Sequence, residues 1–294
     1  MKIFIAGGTG FVGGHLVEAL REHGHAVRLL VHRRSPQVSD SIEQVEGDAT
    51  RLESFEHAAT GCDAVINLIG IIREFPARGI TFERLHVQAT ANMLAATVKA
   101  GIGRYLQMSA LGTRPDAVSR YHVTKFQAEE LVRSSGLNVT ILRPSLIYGP
   151  KDAFINMLAG QLRLVPVMPV IGTGTYRLQP IHAADVARCF AMALEMPETF
   201  GQCYELCGND RLTYLELLDA IASAMGRPTP CKVHAPLWLM KRVIPIMQHM
   251  PQFPITMDQL QMLLEESVCD GCWKRVFGFE PRKFQEGVRK YLRR

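Results

Sequence analysis

A glycine-rich turn at the start of the chain constrains the fold more than any other stretch. A short apolar run at residues 2–6 leads into Gly7, and Gly10 and Gly13 follow at intervals of three. Apolar residues then recur at helical spacing, which predicts a strand, a turn and a helix. Glycine tolerates a positive φ in such a turn, and its missing Cβ lets a diphosphate approach the backbone. Because free N–H groups at a helix start attract the same anion, the pattern predicts a dinucleotide-binding site; a structural turn without a ligand is the alternative.

Short apolar runs alternate with amphipathic stretches along the first two thirds of the chain. This alternation predicts an α/β fold, a Rossmann-type doubly wound parallel sheet of about seven strands with a small C-terminal substrate lobe. We expect residues 1–150 to form the dinucleotide-binding domain, with 177–207 returning to it. Residues 151–176 and 208–294 are expected to form the smaller lobe. The predicted strands are 2–6, 26–31, 42–46, 64–69, 104–109, 139–143 and 203–207.

Helical periodicity marks several segments between and beyond these strands. Thr213 and Glu216 form a capping box in front of one of them. The apolar stretch at 238–253 contains prolines at 245 and 251, so short irregular pieces are expected there. The clearest predicted helices are 81–100, 121–135, 154–164, 180–195 and 213–225.

Composition agrees with a globular protein, since 47% of the 294 residues are apolar and 21% are charged. The chain begins in its first predicted strand, and no apolar run approaches the roughly 18 residues of a membrane-spanning helix. We therefore expect neither a signal peptide nor a membrane span. Seven scattered cysteines make a disulfide scaffold improbable and favour a cytoplasmic location.

The basic excess is concentrated at the C-terminal end. Residues 274–294 hold eight Lys or Arg against Glu280 and Glu286, a net charge of +6, whereas the whole chain carries +5. The cluster fits either a solvated helix face or a peripheral contact with anionic lipid or an acidic membrane complex. We expect a small-molecule substrate and no nucleic-acid partner.

The end of the second strand bears on the choice of coenzyme. An acidic residue there would bind the adenosine ribose of NAD, but the sequence has Arg33 and Arg34. Guanidinium groups suit a 2′-phosphate, so NADP(H) is favoured over NAD(H); the alternative is that both arginines face water. Asp48 is placed either to touch the adenine or to cap a helix near Leu52. The residues expected to contact the coenzyme are Gly7, Thr9, Gly10, Phe11, Val12, Gly13, Arg33, Arg34, Asp48, Ala49, Leu68, Gly70, Lys125 and Pro144.

Three polar residues predict the chemistry. Ser109 ends the fifth strand, at the sheet edge where ligands of open α/β folds bind. Tyr121 and Lys125 lie four residues apart and share one helix face. The ammonium group should lower the pKa of the phenol from its reference of about 10, preparing Tyr121 to exchange a proton with a carbonyl or alcohol oxygen. Ser109, Tyr121 and Lys125 are the predicted catalytic residues; a Tyr-x-x-x-Lys spacing alone is more often structural.

Together these motifs resemble the extended or atypical short-chain dehydrogenases/reductases, which include NAD-dependent epimerase/dehydratase-like proteins. Within that superfamily, the sequences around Ser109, Tyr121 and residues 143–149 are similar to the nucleotide-binding accessory subunits of respiratory complex I and their bacterial relatives. The resemblance implies hydride transfer at nicotinamide, with Tyr121 as acid/base, Lys125 binding the ribose and Ser109 orienting the substrate. The subgroup also includes a member that holds NADPH without a known reaction.

Three functional hypotheses follow. The first is an NADP(H)-dependent oxidoreductase acting on a small or lipophilic carbonyl or alcohol. The second is a non-catalytic NADP(H)-holding structural or sensor subunit of a membrane redox complex. The third is a sugar epimerase or dehydratase, which the 12-residue interval from Ser109 to Tyr121 disfavours. His86 replaces an asparagine that many extended members carry, so that role does not transfer.

Two further patterns are weaker. Cys269 and Cys272 form a lone C-x-x-C, but a structural zinc needs four ligands, so no metal site is predicted and buried free thiols are expected. The stretch from Trp238 to Met250 carries Lys241 and Arg242 with no acid between them. It is either a lid over an apolar substrate pocket or an interfacial helix.

Overall fold

The computed structural model describes residues 1–36, 38–39, 41–165, 167–248, 250 and 253–293. Within these residues the strands are β1 (Lys2–Ala6), β2 (Ala26–Val31), β3 (Glu43–Glu46), β4 (Ala64–Asn67), β5 (Arg104–Met108), β6 (Asn138–Pro144), β7 (Ile147–Tyr148), β8 (Val167–Ile171), β9 (Arg177–Leu178), β10 (Ile181–His182), β11 (Gln202–Leu206), β12 (Leu212–Thr213) and β13 (Cys231–Ala235). The α-helices are α1 (Phe11–Glu22), α2 (Ala89–Lys99), α3 (Arg120–Arg133), α4 (Phe154–Leu164), α5 (Ala183–Glu195), α6 (Tyr214–Ala224), α7 (Leu237–Met247), α8 (Met257–Leu264), α9 (Trp273–Phe277) and α10 (Phe284–Leu292).

Seven strands form the central sheet in the order β11-β6-β5-β4-β1-β2-β3. Pairing is parallel between β1 and both of its neighbours, and continues parallel from β2 to β3, β4 to β5 and β5 to β6. The chain order reverses between β1 and β4, which makes the carboxyl ends of these two strands the topological switch point. The predicted Rossmann-type doubly wound sheet is confirmed.

Asn67 is the one polar residue of β4, a strand that is otherwise apolar and buried along its whole length. Its side-chain amide donates to Thr90 Oγ1 at 3.2 Å and to Gln107 Oε1 at 3.1 Å. Its carbonyl oxygen accepts from the backbone of Ile69 at 3.0 Å. A buried polar group is tolerated when its hydrogen bonds are made, and here they fix the path of the chain just beyond the strand.

The chain divides into two compact units. Unit 1 comprises Met1–Pro144 and Ala184–Glu205, and unit 2 comprises Ser145–Ala183 and Leu206–Arg294. The assignment of a dinucleotide-binding domain and a substrate lobe to residues 1–150, 151–176 and 208–294 stays a prediction.

Arg104 fastens the returning segment to the sheet of unit 1. Its buried guanidinium donates at 2.8 Å to the carbonyl of Asn138 and to Thr140 Oγ1, and it also donates to the carbonyl of Ala193 in α5. Burial lowers the pKa of Arg104 to about 10. Its Nη1 and Nη2 donors thereby join α5 to strands from much earlier in the chain, although its buried Nε has no partner among the described residues.

Unit 2 has its own apolar core. The helices α4, α6 and α10 pack together, and Tyr148 stands edge-on to Phe284 with 4.9 Å between ring centroids. The strands of this unit form three short pairs, β7 with β10, β9 with β12, and β8 with β13. The capping box of Thr213 and Glu216 is present at α6, and α4 spans the predicted residues.

Two expectations for unit 2 are wrong. Residues 237–247 form the helix α7 instead of irregular pieces, because Pro236 precedes its first turn and Pro245 removes a single helical bond in its last turn. Cys269 is not a free thiol but is disulfide-bonded to Cys207, across 62 residues of sequence that spacing alone could not connect. Cys272 is free but exposed.

None of the helices in the described ranges is long and apolar enough to cross a bilayer.

Glu129 is a fully buried carboxylate on α3. Arg143, at the end of β6, donates two hydrogen bonds to it, Nε to Oε1 at 2.8 Å and Nη2 to Oε2 at 2.6 Å. Arg133 adds a third at 3.2 Å. This bidentate geometry joins the helix that carries Tyr121 to the sheet and offsets the cost of burying the charge.

Glu129→Ala should lower the free energy of unfolding by about 3 kcal/mol or more, because it leaves the Arg143 guanidinium without its buried partner. Urea unfolding measures the change. The matched control is Glu130→Ala, since that neighbouring carboxylate is 57% exposed and lies 3.8 Å from Arg133; it should cost less than about 1 kcal/mol. Equal losses in the two variants would contradict the role of the buried pair.

Candidate functional site

The glycine turn between β1 and α1 packs the helix directly against the backbone. Gly7 has φ of +80°, and the Cβ of any larger residue there would lie 3.0 Å from the backbone of Leu68. At Gly13 a Cβ would overlap the carbonyl of Gly7 and the backbone of Gly8. Both positions therefore require glycine, one for its conformation and one for close approach.

A cavity of about 470 Å³ opens beside this turn, at the switch point of the sheet. Seven of the residues predicted to contact a coenzyme line it. The first turn of α1 holds no acidic residue, so its free N–H groups are available to an anion. The lining residues are Gly7, Gly10, Phe11, Val12, Gly13, Leu68, Gly70, Ile71, Ile72, Arg73, Phe75 and Met108. The cradle thus fits the diphosphate of a dinucleotide.

Arg33 and Arg34 lie outside the cavity lining. Both are exposed beyond the end of β2. The Arg34 Nε is 3.8 Å from Glu46 Oε1, and both side chains are largely in solvent. Such an exposed pair contributes little stability, so moving the Arg34 side chain from Glu46 to another partner costs little free energy. Contact with a 2′-phosphate stays a prediction.

The remaining predicted contacts are placed as follows. Asp48 Oδ1 accepts from the backbone and the hydroxyl of Thr50, both at 2.8 Å. Burial opposes ionisation, but these hydrogen bonds outweigh it and hold the pKa of Asp48 below its usual value. Asp48 does not cap the turn at Leu52, whose N-cap residue is Arg51. Thr9 is exposed, Ala49 and Pro144 are buried, and none of the three lines the cavity.

Ser109 directly follows β5 and continues its pairing with β6. Its backbone N–H donates to Leu142 at 2.8 Å, and its hydroxyl donates to Thr113 Oγ1 at 3.4 Å. The side chain is buried, with 3% of the residue exposed. The backbone ladder therefore fixes Ser109 at the carboxyl end of the sheet.

Tyr121 and Lys125 both lie on the buried face of α3. The helix begins after Ser119, whose side chain accepts from the backbone of His122. The Lys125 ammonium donates to the carbonyls of Ile69 and Met108, each at 3.1 Å. These carbonyls lie at the ends of β4 and β5, so Lys125 anchors the helix beside the cavity and next to Ser109.

The predicted lowering of the Tyr121 pKa by Lys125 is wrong in this structure. Burial raises the pKa of Tyr121 to about 12. Burial also lowers the pKa of Lys125 to about 8, against the opposing charge of Glu129. The Lys125 ammonium donates to two carbonyls instead of to the phenol. Desolvation by burial is therefore the main cause of both pKa shifts. Tyr121 is consequently a protonated phenol at neutral pH.

His86 is a site residue that the sequence marked only as a departure from a pattern. It lies in a π-helical turn, Glu83–Gln88, in front of α2, and only 1% of it is exposed. Its ring is 5.3 Å from that of Tyr121, edge to face. The available signal was its spacing in the predicted helix 81–100, because a residue four positions after Phe82 lies on the same helix face.

A directional chain of hydrogen bonds runs through His86. The backbone N–H of Ile71 lies 3.2 Å from Nε2, and Nδ1 lies 2.9 Å from Thr124 Oγ1. The Thr124 hydroxyl in turn donates to the carbonyls of Arg120 and Tyr121. Because the Thr124 hydroxyl donates to these carbonyls, its oxygen accepts from Nδ1–H. Neutral Nε2, which lies 3.2 Å from both the N–H and the carbonyl oxygen of Ile71, is then the acceptor of that N–H. His86 thereby joins the cavity-lining loop to the helix bearing Tyr121.

A family model described as "NAD dependent epimerase/dehydratase family" matches residues 3–207. The chain belongs to this family. The resemblance to extended short-chain dehydrogenases/reductases is confirmed. The matched range includes the whole cavity and the residues Ser109, Tyr121 and Lys125.

Several curated proteins are similar to this family member. A mitochondrial NADH dehydrogenase [ubiquinone] 1 alpha subcomplex subunit 9 from Arabidopsis thaliana is 33% identical, with 81% of this chain and 61% of that protein covered. A ceramide reductase from Caulobacter vibrioides is 31% identical, with 76% and 70% covered. A 2-alkyl-3-oxoalkanoate reductase from Stenotrophomonas maltophilia is 26% identical, with 99% and 98% covered. The chain spans about three fifths of the length of the plant and Dictyostelium discoideum subunits.

Solved structures share the fold. The UDP-glucose 4-epimerase of Thermotoga maritima superposes with a TM-score of 0.78 at 20% identity, covering 99% of this chain and 97% of that one. The dTDP-glucose 4,6-dehydratase of Streptomyces venezuelae, solved with NAD bound, gives 0.76 at 21% identity, covering 100% and 96%. At these identities the likeness extends to the fold alone.

The burial of His86 predicts a pH dependence of stability. Burial, with the nearby charge of Lys125, lowers the pKa of His86 to about 2, whereas 6.5 is its ordinary value. The unfolded chain therefore binds the extra proton first as pH falls. The stability that neutral His86 contributes is complete above pH 6.5 and is lost progressively toward pH 2.

We expect the wild type to lose up to about 1.4 kcal/mol more per pH unit below pH 6 than His86→Gln, which keeps an acceptor and a donor but does not titrate. Urea unfolding at several pH values between 7 and 4.5 measures the difference. His57→Gln is the control, because the His57 side chain is 72% exposed and should leave the slope unchanged. Parallel slopes for wild type and His86→Gln would refute the prediction.

Proposed function

We propose that the chain is an NAD(P)-dependent oxidoreductase that acts on a small or lipophilic carbonyl or alcohol and favours NADP(H) over NAD(H). The observation that carries the proposal is the anchoring of Lys125 by the carbonyls of Ile69 and Met108. This contact brings the helix of Tyr121 to the carboxyl ends of β4 and β5, where the cavity opens. Family membership supports the same chemistry.

The coenzyme cradle is built from the glycine turn and the start of α1. Gly7, Gly10 and Gly13 present backbone without side chains, and the helix start presents N–H groups to the diphosphate. Arg33 and Arg34 are accessible at the end of β2 for a 2′-phosphate. A bound nicotinamide supplies or accepts the hydride at the reacting carbon.

The side chains of the site manage the proton. Tyr121 is protonated at neutral pH, so in the direction of reduction it donates its phenolic proton to the carbonyl oxygen. The Ser109 hydroxyl donates a hydrogen bond to the same oxygen. Lys125, held by the carbonyls of Ile69 and Met108, binds the ribose of the coenzyme.

The lining of the cavity supports a lipophilic substrate. Ile71, Ile72 and Phe75 contribute apolar surface beyond the glycine turn, and Arg73 is the one charged residue among those that line it in the described chain. Apolar pockets with few polar groups suit lipophilic ligands. The names of two relatives, a ceramide reductase and a 2-alkyl-3-oxoalkanoate reductase, point the same way. A sugar epimerase is less favoured, since no acid occupies positions 32–34.

A second candidate function is a non-catalytic, NADP(H)-holding structural or sensor subunit of a membrane redox complex. Its support is the similarity to subunits of NADH dehydrogenase from Arabidopsis thaliana and Neurospora crassa. The basic C-terminal segment also exposes cationic side chains, including Arg289 and Lys290 on α10. A chain that binds coenzyme but turns over no carbonyl substrate would favour this function.

Tyr121→Phe should reduce kcat by about 10²- to 10⁴-fold, because it removes the proton donor while keeping the packed ring. Steady-state turnover of a long-chain ketone or 3-oxo compound with NADPH measures the loss. Tyr204→Phe, on β11, is the matched control and should retain full turnover. Unchanged turnover in Tyr121→Phe on a confirmed substrate would eliminate the proposed mechanism.

NADPH should raise the apparent melting temperature more than NADH at equal concentration, since a ligand stabilises the folded chain in proportion to its affinity. Replacing both Arg33 and Arg34 by Ala should weaken NADPH binding about tenfold or more and leave NADH binding unchanged. Arg51→Ala is the control, because Arg51 is 65% exposed and pairs with Glu53. Equal shifts for the two coenzymes in the wild type would count against the arginine assignment.

A further inference from the structure

Exposed apolar side chains are concentrated on one part of unit 2. Thirteen large hydrophobic residues are exposed in the described chain, and eight of them fall within residues 164–167 and 233–250. We name these eight the α7 face. They are Leu164, Val165, Val167, Val233, Trp238, Leu239, Ile246 and Met250.

The strands and helix that carry the α7 face are neighbours. β13 pairs in parallel with β8, so Val233 stands opposite Pro169. A Cβ atom added to Gly172, just after β8, would lie 3.9 Å from the Cβ atom of Leu237. The helix α7 therefore begins beside the end of this strand pair.

The helix α7 lacks the packing that a helix of its composition normally has. Of its eleven residues only Ile244 is buried, whereas α6, also of eleven residues, buries six. Trp238 is 64% exposed and Ile246 is 74% exposed. An apolar surface of this kind marks an interaction site.

The exposed charges on α7 itself are of one sign. Between Asp219 and Asp258 the chain has no acidic residue but four basic ones; Lys232 is paired with Asp219 at 2.6 Å, and Lys241 and Arg242 lie on α7. Both of these are exposed, and the Arg242 guanidinium lies 5.9 Å from the centre of the Trp238 ring. The surface thus combines a large amphipathic ring, aliphatic side chains and uncompensated cations.

We propose that the α7 face binds the surface of an anionic lipid bilayer. Aliphatic groups and the Trp238 ring enter the boundary between headgroups and acyl chains, while Lys241 and Arg242 reach the lipid phosphates. Charge complementarity selects this occupant over a second copy of the chain, since a twofold contact would bring the same cations together. The inference goes beyond the proposed oxidoreductase function and holds whether or not the chain is an enzyme.

Purified full-length protein and protein-free vesicles test the proposal. We expect flotation with vesicles containing about one third phosphatidylserine and at least tenfold weaker binding to pure phosphatidylcholine. The chain has two tryptophans, and Trp273 is only 2% exposed. A blue shift of the emission on vesicle binding therefore reports Trp238, and it should disappear in Trp238→Phe.

Two variants locate the contact. Ile246→Glu should weaken vesicle binding about tenfold or more, and the double reversal Lys241→Glu with Arg242→Glu should do the same. Matched controls are Val98→Glu, which adds a charge at a 57% exposed position of unit 1, and Arg289→Glu with Lys290→Glu on α10. Far-UV circular dichroism and thermal unfolding verify that each variant is folded.

Three results would overturn the proposal. One is the absence of flotation and of a blue shift with anionic vesicles. The second is loss of binding in the α10 reversal with full binding in both α7 variants, which would place the contact at the basic C-terminus. The third is a concentration-dependent dimer, seen by sedimentation without lipid, that shields Trp238 from a water-soluble quencher.

Discussion

The buried ammonium of Lys125 is the contact on which the arrangement of the site depends. Its two hydrogen bonds reach the carbonyl of Ile69, just beyond β4, and the carbonyl of Met108, at the end of β5. They hold α3 against the carboxyl ends of both strands. A cation buried to this degree is costly unless its donors find acceptors, and here backbone carbonyls accept from two of the three N–H groups. The same burial that depresses the basicity of Lys125 keeps Tyr121 protonated. The packing that positions α3 therefore also sets the protonation state of Tyr121.

A second layer of contacts keeps this arrangement rigid. Glu129, one turn beyond Lys125, accepts from Arg143 and Arg133, and His86 joins the loop after β4 to the hydroxyl of Thr124. Neither residue lines the cavity, yet Glu129 fixes the helix that carries Tyr121 and Lys125, and His86 fixes the loop that lines the cavity. Sites of this kind need their supporting groups held as firmly as the reacting ones.

The sequence predicted much of the fold because local patterns decided it. Glycine spacing located the turn at Gly7, and the apolar stripe of α4 gave that helix its observed bounds. Contacts between residues far apart in the sequence could not be predicted, because they depend on the complete fold. The helix α7 forms despite Pro245, and Cys207 meets Cys269 only because unit 2 brings them together. The pKa of Tyr121 followed desolvation, which depends on the complete packing around the ring and not on the spacing of Tyr and Lys.

The discontinuity of unit 1 has a consequence for synthesis on the ribosome. A nascent chain that has emerged only as far as Pro144 contains six strands of the sheet, but β6 is still an open edge. In that fragment the guanidinium of Arg104 lacks its acceptor on Ala193. The edge is covered by β11 only after residues 145–183 of the other unit have been made. The first unit is thus completed co-translationally later than its position in the chain suggests, and until then it presents an unpaired strand to which another chain can add.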